Sequence, residues 1–238
     1  VADMNAVLFA KSAHGGQIDD VVEQLGEAAL VDKRLHRHAR LLLASEERIA
    51  ARGWDYTVFD LLNRKPDTDE RALTSVVMKR LAAPQQAVEV ASAEAPVHQV
   101  MLQGDDLDLT RLPFHLQHEK DGGCYISSGL DFTVDPVTGA RNVGCRRLML
   151  RGRRQMRTNL TDNSDLKQMY LRALERKERL PVAFVIGTWP TDFFGANLKV
   201  PVDEVNLLAT LRGEPMPVVK CHNSNIMVPA DAELVIEA

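Results

Sequence analysis

The sequence contains few cysteines, no excess of basic residues and no long apolar segment. Its 3 cysteines, Cys124, Cys145 and Cys221, are widely spaced and form no Cys-x-x-Cys pair, so we expect neither a disulfide framework nor a cysteine-ligated zinc site. The 238 residues include 29 Lys and Arg against 33 Asp and Glu, and this net charge of −4 argues against a general nucleic-acid-binding protein. No window approaches the roughly 18 apolar residues of a membrane-spanning helix, and the first residues lack the charged and apolar regions of a signal peptide. These absences predict a cytoplasmic protein with reduced thiols and with no nucleic-acid or membrane partner.

The residues that are present divide into a helix-rich first part and a strand-rich second part. Residues 34–52 carry apolar side chains at helical spacing, and a second helix is predicted to follow the capping residues 67–70 and to continue through Leu81. Nothing in residues 1–95 has the spacing of a catalytic set, so we expect this part to provide structural support or assembly contacts. From Pro96 onward, short alternating strands and turns dominate.

The clearest local prediction is an antiparallel hairpin. Residues 125–134 alternate between apolar and polar types, the sequence Asp-Pro-Val-Thr-Gly of residues 135–139 is typical of a turn, and the apolar alternation resumes over residues 142–150. Two shorter strands are predicted over residues 87–95 and 97–102.

The second strand of this hairpin is rich in arginine and leads into a polar loop, residues 158–165. Arginines beside hydroxyl, amide and carboxylate oxygens are what a phosphate and a hard divalent cation require. Because the net charge of the chain is negative, the cluster is local and indicates one small anion. Composition alone favours the plainer alternative, a solvated basic face and an ordinary loop. The arginines are Arg146, Arg147, Arg151, Arg153 and Arg154.

An amphipathic helix is predicted over residues 165–180, directly after the polar loop. Asn163, Ser164 or Asp165 would cap it, and its free N–H groups would then point back at the loop and form an anion site. A second, shorter helix is predicted over residues 203–211.

Four ordered motifs in the second part resemble the UbiD family of prenylated-FMN-dependent decarboxylases. The resemblance is strong from about Pro96 to the end and weak across the first part. It implies an α+β protein, in which an N-terminal α/β domain, residues 1–95, precedes a split β-barrel domain, residues 96–238, that binds prenylated FMN through its phosphate. The motifs are GDDLDLTRLP (residues 104–113), HEKDGGCYISSG (118–129), DPVTGARNVGCRR (135–147) and VVKCHNSNIMVPADAELVIE (218–237).

The resemblance also implies a divalent metal ion, Mn²⁺ or Mg²⁺, with a K⁺ ion nearby. The first metal ligand opens the NVG motif at Asn142. The second falls on Asp165, where some members of the family carry histidine, and the third falls on Glu204 in a later helix. An amide oxygen and two carboxylates form the all-oxygen set that such hard cations prefer. Without the resemblance, each of the three would be interpreted as a turn or cap residue.

The flavin contacts implied by the resemblance fall on the arginine-rich strand and the polar loop. Arg147 is the implied catalytic residue, because in the family this arginine pairs with acidic residues beside the reactive edge of the flavin and helps to hold the substrate carboxylate. A guanidinium suits both tasks, since it stays charged and binds carboxylates bidentately. The implied cofactor-binding residues are Asn142, Cys145, Arg146, Arg147, Asn159, Leu160, Thr161, Ser164, Asp165 and Glu204.

The resemblance therefore implies a reversible, non-oxidative decarboxylase of an aromatic, heteroaromatic or α,β-unsaturated carboxylic acid. A flavin prenyltransferase would supply the cofactor, and homo-oligomers are usual in the family. The acidic proton donor of the family has no counterpart in the sequence, since its position would follow Ala238. This departure keeps open a second hypothesis, a non-catalytic flavin- and metal-binding scaffold subunit or a fragment that needs another chain for activity. An ordinary FMN oxidoreductase on a split barrel is a third.

Overall fold

The structure is a computed structural model that describes residues 7–10 and 70–238, apart from residues 113, 115 and 117. The helix predicted over residues 34–52 and the capping residues 67–69 lie outside the described residues. In the described part, no helix combines the length and the apolar character needed to cross a lipid bilayer.

The strands form two sheets. A seven-stranded sheet has the order β3-β1-β10-β7-β4-β5-β6, and a three-stranded sheet has the order β2-β8-β9. The strands are β1 (Val7–Ala10), β2 (Ala87–Glu89), β3 (Val100–Leu102), β4 (Tyr125–Val134), β5 (Arg141–Gly152), β6 (Gln155–Thr158), β7 (Val182–Ile186), β8 (Met216–Lys220), β9 (Met227–Pro229) and β10 (Leu234–Glu237).

Four α-helices and four short 3₁₀ helices complete the described part. The α-helices are α1 (Glu70–Leu81), α2 (Asp165–Glu175), α3 (Pro190–Gly195) and α4 (Glu204–Arg212). The 3₁₀ helices cover Ser92–Glu94, Pro96–His98, Gly104–Asp106 and Leu109–Arg111.

The predicted hairpin is present as β4 and β5. Thr133 lies opposite Asn142 in an antiparallel ladder. The Asp135 side chain closes the turn by accepting hydrogen bonds from the backbone N–H groups of Val137 at 2.9 Å and Thr138 at 3.3 Å. An aspartate that binds its own turn in this way fixes the register of the two strands.

The two helices predicted after the hairpin are also present, with shifted ends. Ser164 is the cap of α2, because its hydroxyl accepts the backbone N–H of Lys167 at 3.3 Å. The helix ends at Glu175, five residues earlier than predicted, because the left-handed Lys177, with a φ of 57°, stops the helical path. Asp203 caps α4 in the same manner as Ser164 caps α2.

The two strands predicted before the hairpin are shorter than expected. The first, over residues 87–95, ends after β2, and the N–H of Ala91 then donates to Glu94 Oε2 at 3.2 Å in a short 3₁₀ helix. Pro96 begins another such helix, since its ring fixes φ and offers no N–H to a neighbouring strand. As a result β3 begins only at Val100.

The seven-stranded sheet buries apolar side chains on both of its faces. Successive residues of a strand point to opposite faces, so Val185 joins one core and Phe184 joins the other. Helix α4 covers the first core through Leu208, and Leu109 of a 3₁₀ helix closes the second. The molecule is a mixed α/β structure with a curled sheet.

Strand β5 is longer than the strand that pairs with it on its outer side. β6 pairs with β5 only from Leu148 to Gly152, so residues 141–147 have no second neighbouring strand within the described residues. Outward N–H groups on such an edge need side chains, water or ligands as partners. This segment, residues 141–147, is called the open edge below.

Strands from before and after residue 95 share sheets. β1 lies between β3 and β10, where Val7 pairs with Glu237, and β2 pairs in parallel with β8. The division into domains at residue 95 stays a prediction, because most of the first part lies outside the described residues.

Candidate functional site

The first turn of α4 packs against the open edge. Glu204 Oε2 accepts a hydrogen bond from the backbone N–H of Val143 at 2.5 Å. The carboxylate of the adjacent Asp203 accepts hydrogen bonds from both Nε and Nη2 of Arg141, with an Nε–Oδ2 distance of 2.6 Å. A bidentate pair of this kind fixes the orientation of both partners. These contacts hold the Glu204 carboxylate at Val143, the residue that follows the buried Asn142 in β5.

Glu204 lies half-buried near three other carboxylates. Burial raises the pKa of Glu204 above its ordinary value, and the hydrogen bond from Val143 opposes this change. The negative charges of Asp165, Asp131 and Asp203 raise the pKa further. A bound cation would relieve this repulsion, so the surroundings of Glu204 fit a hard metal ion.

Asp165 begins α2, at the end of the polar loop. Its side chain is exposed, and its charge acts on Glu204 from this position. Ser164 Oγ donates to the carbonyl of Thr161 at 2.8 Å and so ties the loop to the start of the helix. The positive end of the helix dipole therefore faces the loop, as the sequence predicted.

The structure thus brings the three predicted metal ligands, Asn142, Asp165 and Glu204, into one neighbourhood. Within the described part of the chain, no three His, Cys, Asp or Glu side chains are grouped to hold a metal ion. The predicted set contains only two residues of those types and takes its third oxygen from an amide. Its role as a ligand set stays a prediction.

Arg146 connects the open edge to the polar loop. Its Nε donates to Asp131 Oδ1 at 2.9 Å, and its Nη1 donates to the backbone carbonyl of Asn159 at 3.1 Å. Asp131 is fully buried on β4, where burial raises its pKa and the charge of Arg146 opposes that change. The predicted contact residues of the strand and of the loop therefore meet through this arginine.

Sequence reasoning missed Asp131. It occupies a polar position of an alternating strand, and such positions normally face solvent. Its burial follows from its partners, since it lies opposite Gly144 on β5 and opposite Phe184 on β7. An aspartate one strand away from an arginine-rich segment is the signal that would have pointed to this ion pair.

Arg147 has a different environment from its neighbour. Its side chain is exposed, and its guanidinium lies 5.4 Å from the ring centroid of Tyr125. A cation–π contact at an exposed site is worth about 0.5–1 kcal/mol. No ion pair of Arg147 occurs within the described residues.

Cys145 directly precedes the two arginines in the chain but contacts α3. Its Sγ accepts a hydrogen bond from Asn197 Nδ2 at 3.1 Å and lies 3.8 Å from the carbonyl oxygen of Phe193. Burial raises the pKa of the Cys145 thiol. The thiol is therefore poorly suited to be a nucleophile at neutral pH.

Two further arginines of the predicted cluster, Arg153 and Arg154, lie in the turn after β5 and have other partners. Arg153 pairs with Asp108 at 3.0 Å, and Arg154 pairs with Asp105 at 2.7 Å. Both contacts are with the chain segment before the hairpin. For these two arginines the plainer interpretation, a basic face with surface partners, is correct.

Comparison with known proteins supports the family resemblance that the four sequence motifs indicated. A family profile described as the 3-octaprenyl-4-hydroxybenzoate carboxy-lyase Rift-related domain of UbiD matches residues 88–238. The chain therefore belongs to the UbiD family.

Individual relatives are decarboxylases. Anhydromevalonate phosphate decarboxylase of Methanosarcina mazei is 36% identical over 133 residues, which cover 56% of this chain and 31% of the relative. The closed form of vanillic acid decarboxylase from Sedimentibacter hydroxybenzoicus has a TM-score of 0.70 at 26% identity, over 78% of this chain and 43% of that chain. An evolved dimeric form of HmfF from Pelotomaculum thermopropionicum, in complex with prFMN, has a TM-score of 0.63 at 28% identity, over 68% of this chain and 39% of that chain. The chain thus spans less than half the length of these relatives.

Proposed function

We propose that this chain forms the cofactor-binding part of a prenylated-FMN-dependent decarboxylase. The substrate class is an aromatic, heteroaromatic or α,β-unsaturated carboxylic acid, and the reaction is reversible and non-oxidative. The observation that carries this proposal is the meeting of Asn142, Glu204 and Asp165 at the open edge of β5. Relatives that are decarboxylases, one of them with prFMN bound, give it further support.

The residues at the open edge fit a flavin phosphate held through a metal ion. All three predicted ligands offer oxygen atoms, as Mn²⁺ or Mg²⁺ prefers. Burial raises the pKa of Glu204 most, and the negative charges of Asp165, Asp131 and Asp203, which such a cation would balance, raise it further. We place Asn142, Asp165 and Glu204 on the metal, with a K⁺ ion nearby. When bound, the prenylated flavin supplies an electron sink for the carbon that loses CO₂.

The role of Arg147 follows from its position in the same strand. Its guanidinium rests on Tyr125 and has no carboxylate partner among the described residues. It is therefore ready to bind the carboxylate of a substrate, which matches its planar array of donors. Cys145, Leu160 and Thr161 would line the flavin beside it.

We extend the proposal to the architecture and partners of the protein. The strands of the curled sheet after residue 95 belong to the flavin-binding split β-barrel domain, and residues 1–95 form an α/β domain that contributes β1 to the same sheet. A flavin prenyltransferase supplies the cofactor, and the active form is a homo-oligomer.

The test is mass spectrometry of the small molecules released from the purified protein. The protein is expressed with all residues that its gene encodes, together with a flavin prenyltransferase. We expect prenylated FMN in the parent and in the control Asn225→Ala. Asn225 is exposed and lies in the bend between β8 and β9. We expect little or none in Asn142→Ala. Cofactor at the parental level in Asn142→Ala would refute the metal–phosphate anchor, and a parent without flavin would refute the proposed function. A loaded parent that decarboxylates no acid of this class would favour the scaffold hypothesis.

A further inference from the structure

The buried carboxylate of Asp131 depends on a single side chain. Asp131 has no exposed surface, and its Oδ1 accepts from Arg146 Nε at 2.9 Å. Its Oδ2 is buried and has no hydrogen-bond partner among the described residues. If Arg146 moved away, a buried carboxylate would lose its counter-charge, which is among the most destabilising changes in a protein interior. Asp131 therefore locks Arg146 in place.

The locked guanidinium still has free donors. Nε is used by Asp131, and one N–H of Nη1 is used by the carbonyl of Asn159 at 3.1 Å. The other three N–H groups make no hydrogen bond within the described part of the chain, and 11% of the side chain remains exposed. A guanidinium that is held at two points and keeps unused donors is a preorganised binder of an oxyanion.

The position of these donors indicates which oxyanion they bind. Arg146 and Asn142 are four residues apart on one strand, so their side chains lie on the same face. The Nε bond to Asp131, which lies opposite Gly144, directs the guanidinium back along β5 towards Asn142. Asp131 is itself close enough to Glu204 for their charges to interact. An anion on the free donors would therefore lie next to the proposed metal ligands.

We propose that Asp131 is a positioning residue, which fixes the Arg146 guanidinium to bind the phosphate of the flavin. This inference rests on the proposed function, because it assumes that a flavin phosphate lies at the open edge. The alternative is a purely structural ion pair between two strands. A structural pair would affect folding but would not distinguish a flavin that has a phosphate from one that lacks it.

The experiment compares the affinities of FMN and riboflavin for the metal-loaded, flavin-free protein, measured by fluorescence titration. We expect Asp131→Ala to weaken FMN binding about tenfold, the usual effect of losing one charge-assisted hydrogen bond, and to leave riboflavin binding unchanged. Asp131→Asn keeps an acceptor for Arg146 Nε and should have a smaller effect. Asp108→Ala removes a similar aspartate–arginine bond, to Arg153 at 3.0 Å, and should leave both affinities unchanged.

A double-mutant cycle tests whether Asp131 acts through Arg146. In an Arg146→Ala background, Asp131→Ala should cause no further loss of FMN affinity. Equal losses for FMN and riboflavin, or an undiminished effect in that background, would overturn the positioning role. A parent that binds FMN and riboflavin equally well would overturn this inference alone, whereas a parent that binds neither would overturn the proposed function as well. Thermal unfolding of each variant identifies any that fail to fold, and Asp131→Asn then decides the outcome.

Discussion

Glu204 and Val143 are joined by a hydrogen bond of 2.5 Å between a carboxylate and a backbone N–H, across 61 positions of sequence. This bond fixes the start of α4 to the open edge of β5. The carboxylate that accepts it is half-buried, and burial and neighbouring charges raise its pKa. When Glu204 is ionised and no cation is bound, its buried charge lowers the free energy of unfolding of the protein.

We expect Glu204→Gln to separate metal binding from stability. The amide still accepts a hydrogen bond from Val143, but it carries no charge for a metal ion. The metal-free variant should be at least as resistant to urea as the metal-free parent, because the burial of a charge is removed. Metal content, measured by mass spectrometry, should fall strongly. Glu175→Gln, at the exposed end of α2, is the control and should keep both properties. Parental metal content in Glu204→Gln would remove Glu204 from the ligand set.

Arg147→Ala should reduce decarboxylation in the complete enzyme. Loss of a bidentate contact to the substrate carboxylate is expected to lower kcat/KM about a hundredfold. Arg147→Lys should recover only part of this loss, since an ammonium lacks the planar pair of donors. Arg151→Ala, an exposed arginine on the same strand, should have the activity of the parent. A normal rate in Arg147→Ala would exclude the proposed substrate contact.

The buried Arg212 should be important for folding. It donates to Asp192 through Nε at 2.9 Å and Nη2 at 2.6 Å, and it also contacts Asp231 and the ring of Trp189. Burial lowers the pKa of Arg212, but Asp192 and Asp231 together raise it above its ordinary value, so the guanidinium stays charged. Arg212→Met leaves Asp192 buried without a counter-charge and should lower the free energy of unfolding by about 3–5 kcal/mol. Urea denaturation checks this value.

A surface pair provides the contrast for this measurement. Arg176 contacts Glu178 at 2.8 Å, but both side chains are largely exposed. Arg176→Met should leave the urea midpoint unchanged, because solvent screens exposed pairs. Similar midpoints for the Arg212 and Arg176 variants would show that the buried pair contributes little to folding.

Gly187 should not tolerate a side chain. Its φ is 73°, and an added Cβ would overlap Cβ and Cγ of Glu233. Gly187→Ala combines left-handed strain with overpacking and should cost about 2–4 kcal/mol of unfolding free energy. Gly139, with a φ of 74° and open space around it, isolates the strain, so Gly139→Ala should cost only about 1 kcal/mol. Equal losses would mean that Glu233 moves aside freely.

Asp135 should stabilise the hairpin in a pH-dependent way. Burial alone would raise the pKa of Asp135, but hydrogen bonds from Val137, Thr138 and Arg172 hold it below its ordinary value of 3.8. A depressed pKa stabilises the fold above the unfolded pKa and loses this effect as pH falls through the folded pKa. The difference in unfolding free energy between the parent and Asp135→Asn should therefore be constant from about pH 7 to 5 and shrink below about pH 4. A difference that does not change with pH would contradict this origin.

The hairpin and the helices after it were predictable because their signals are local. The Asp135 turn and the apolar alternation on both sides of it define β4 and β5, and capping residues mark the starts of α2 and α4. The Asp131–Arg146 pair was not predictable in this way. Its burial depends on which residues of β5 and β7 lie opposite β4, and strand register is a long-range property that local alternation does not contain.

The predicted site had a different origin. Asn142, Asp165 and Glu204 look like ordinary turn and cap residues in isolation, and only the order of the motifs singled them out. Glu204 does lie in a first turn, as the plain interpretation has it, whereas Asp165 is the first residue of a helix whose cap is Ser164. A residue can fill both roles, because the start of a helix presents short polar side chains and a positive dipole end to a neighbouring strand.

The place of β1 in the large sheet has a consequence for folding. Val7 pairs with Glu237 on one side, and Leu8 pairs with Leu102 on the other. The ladder of β1 is therefore complete only when strands that lie far apart in the sequence have met. Pairings between such distant segments slow folding, because the entropy of closing a long loop is lost before the contacts form. The ladder between β1 and β10 would therefore form later than the local hairpin of β4 and β5 within the same sheet.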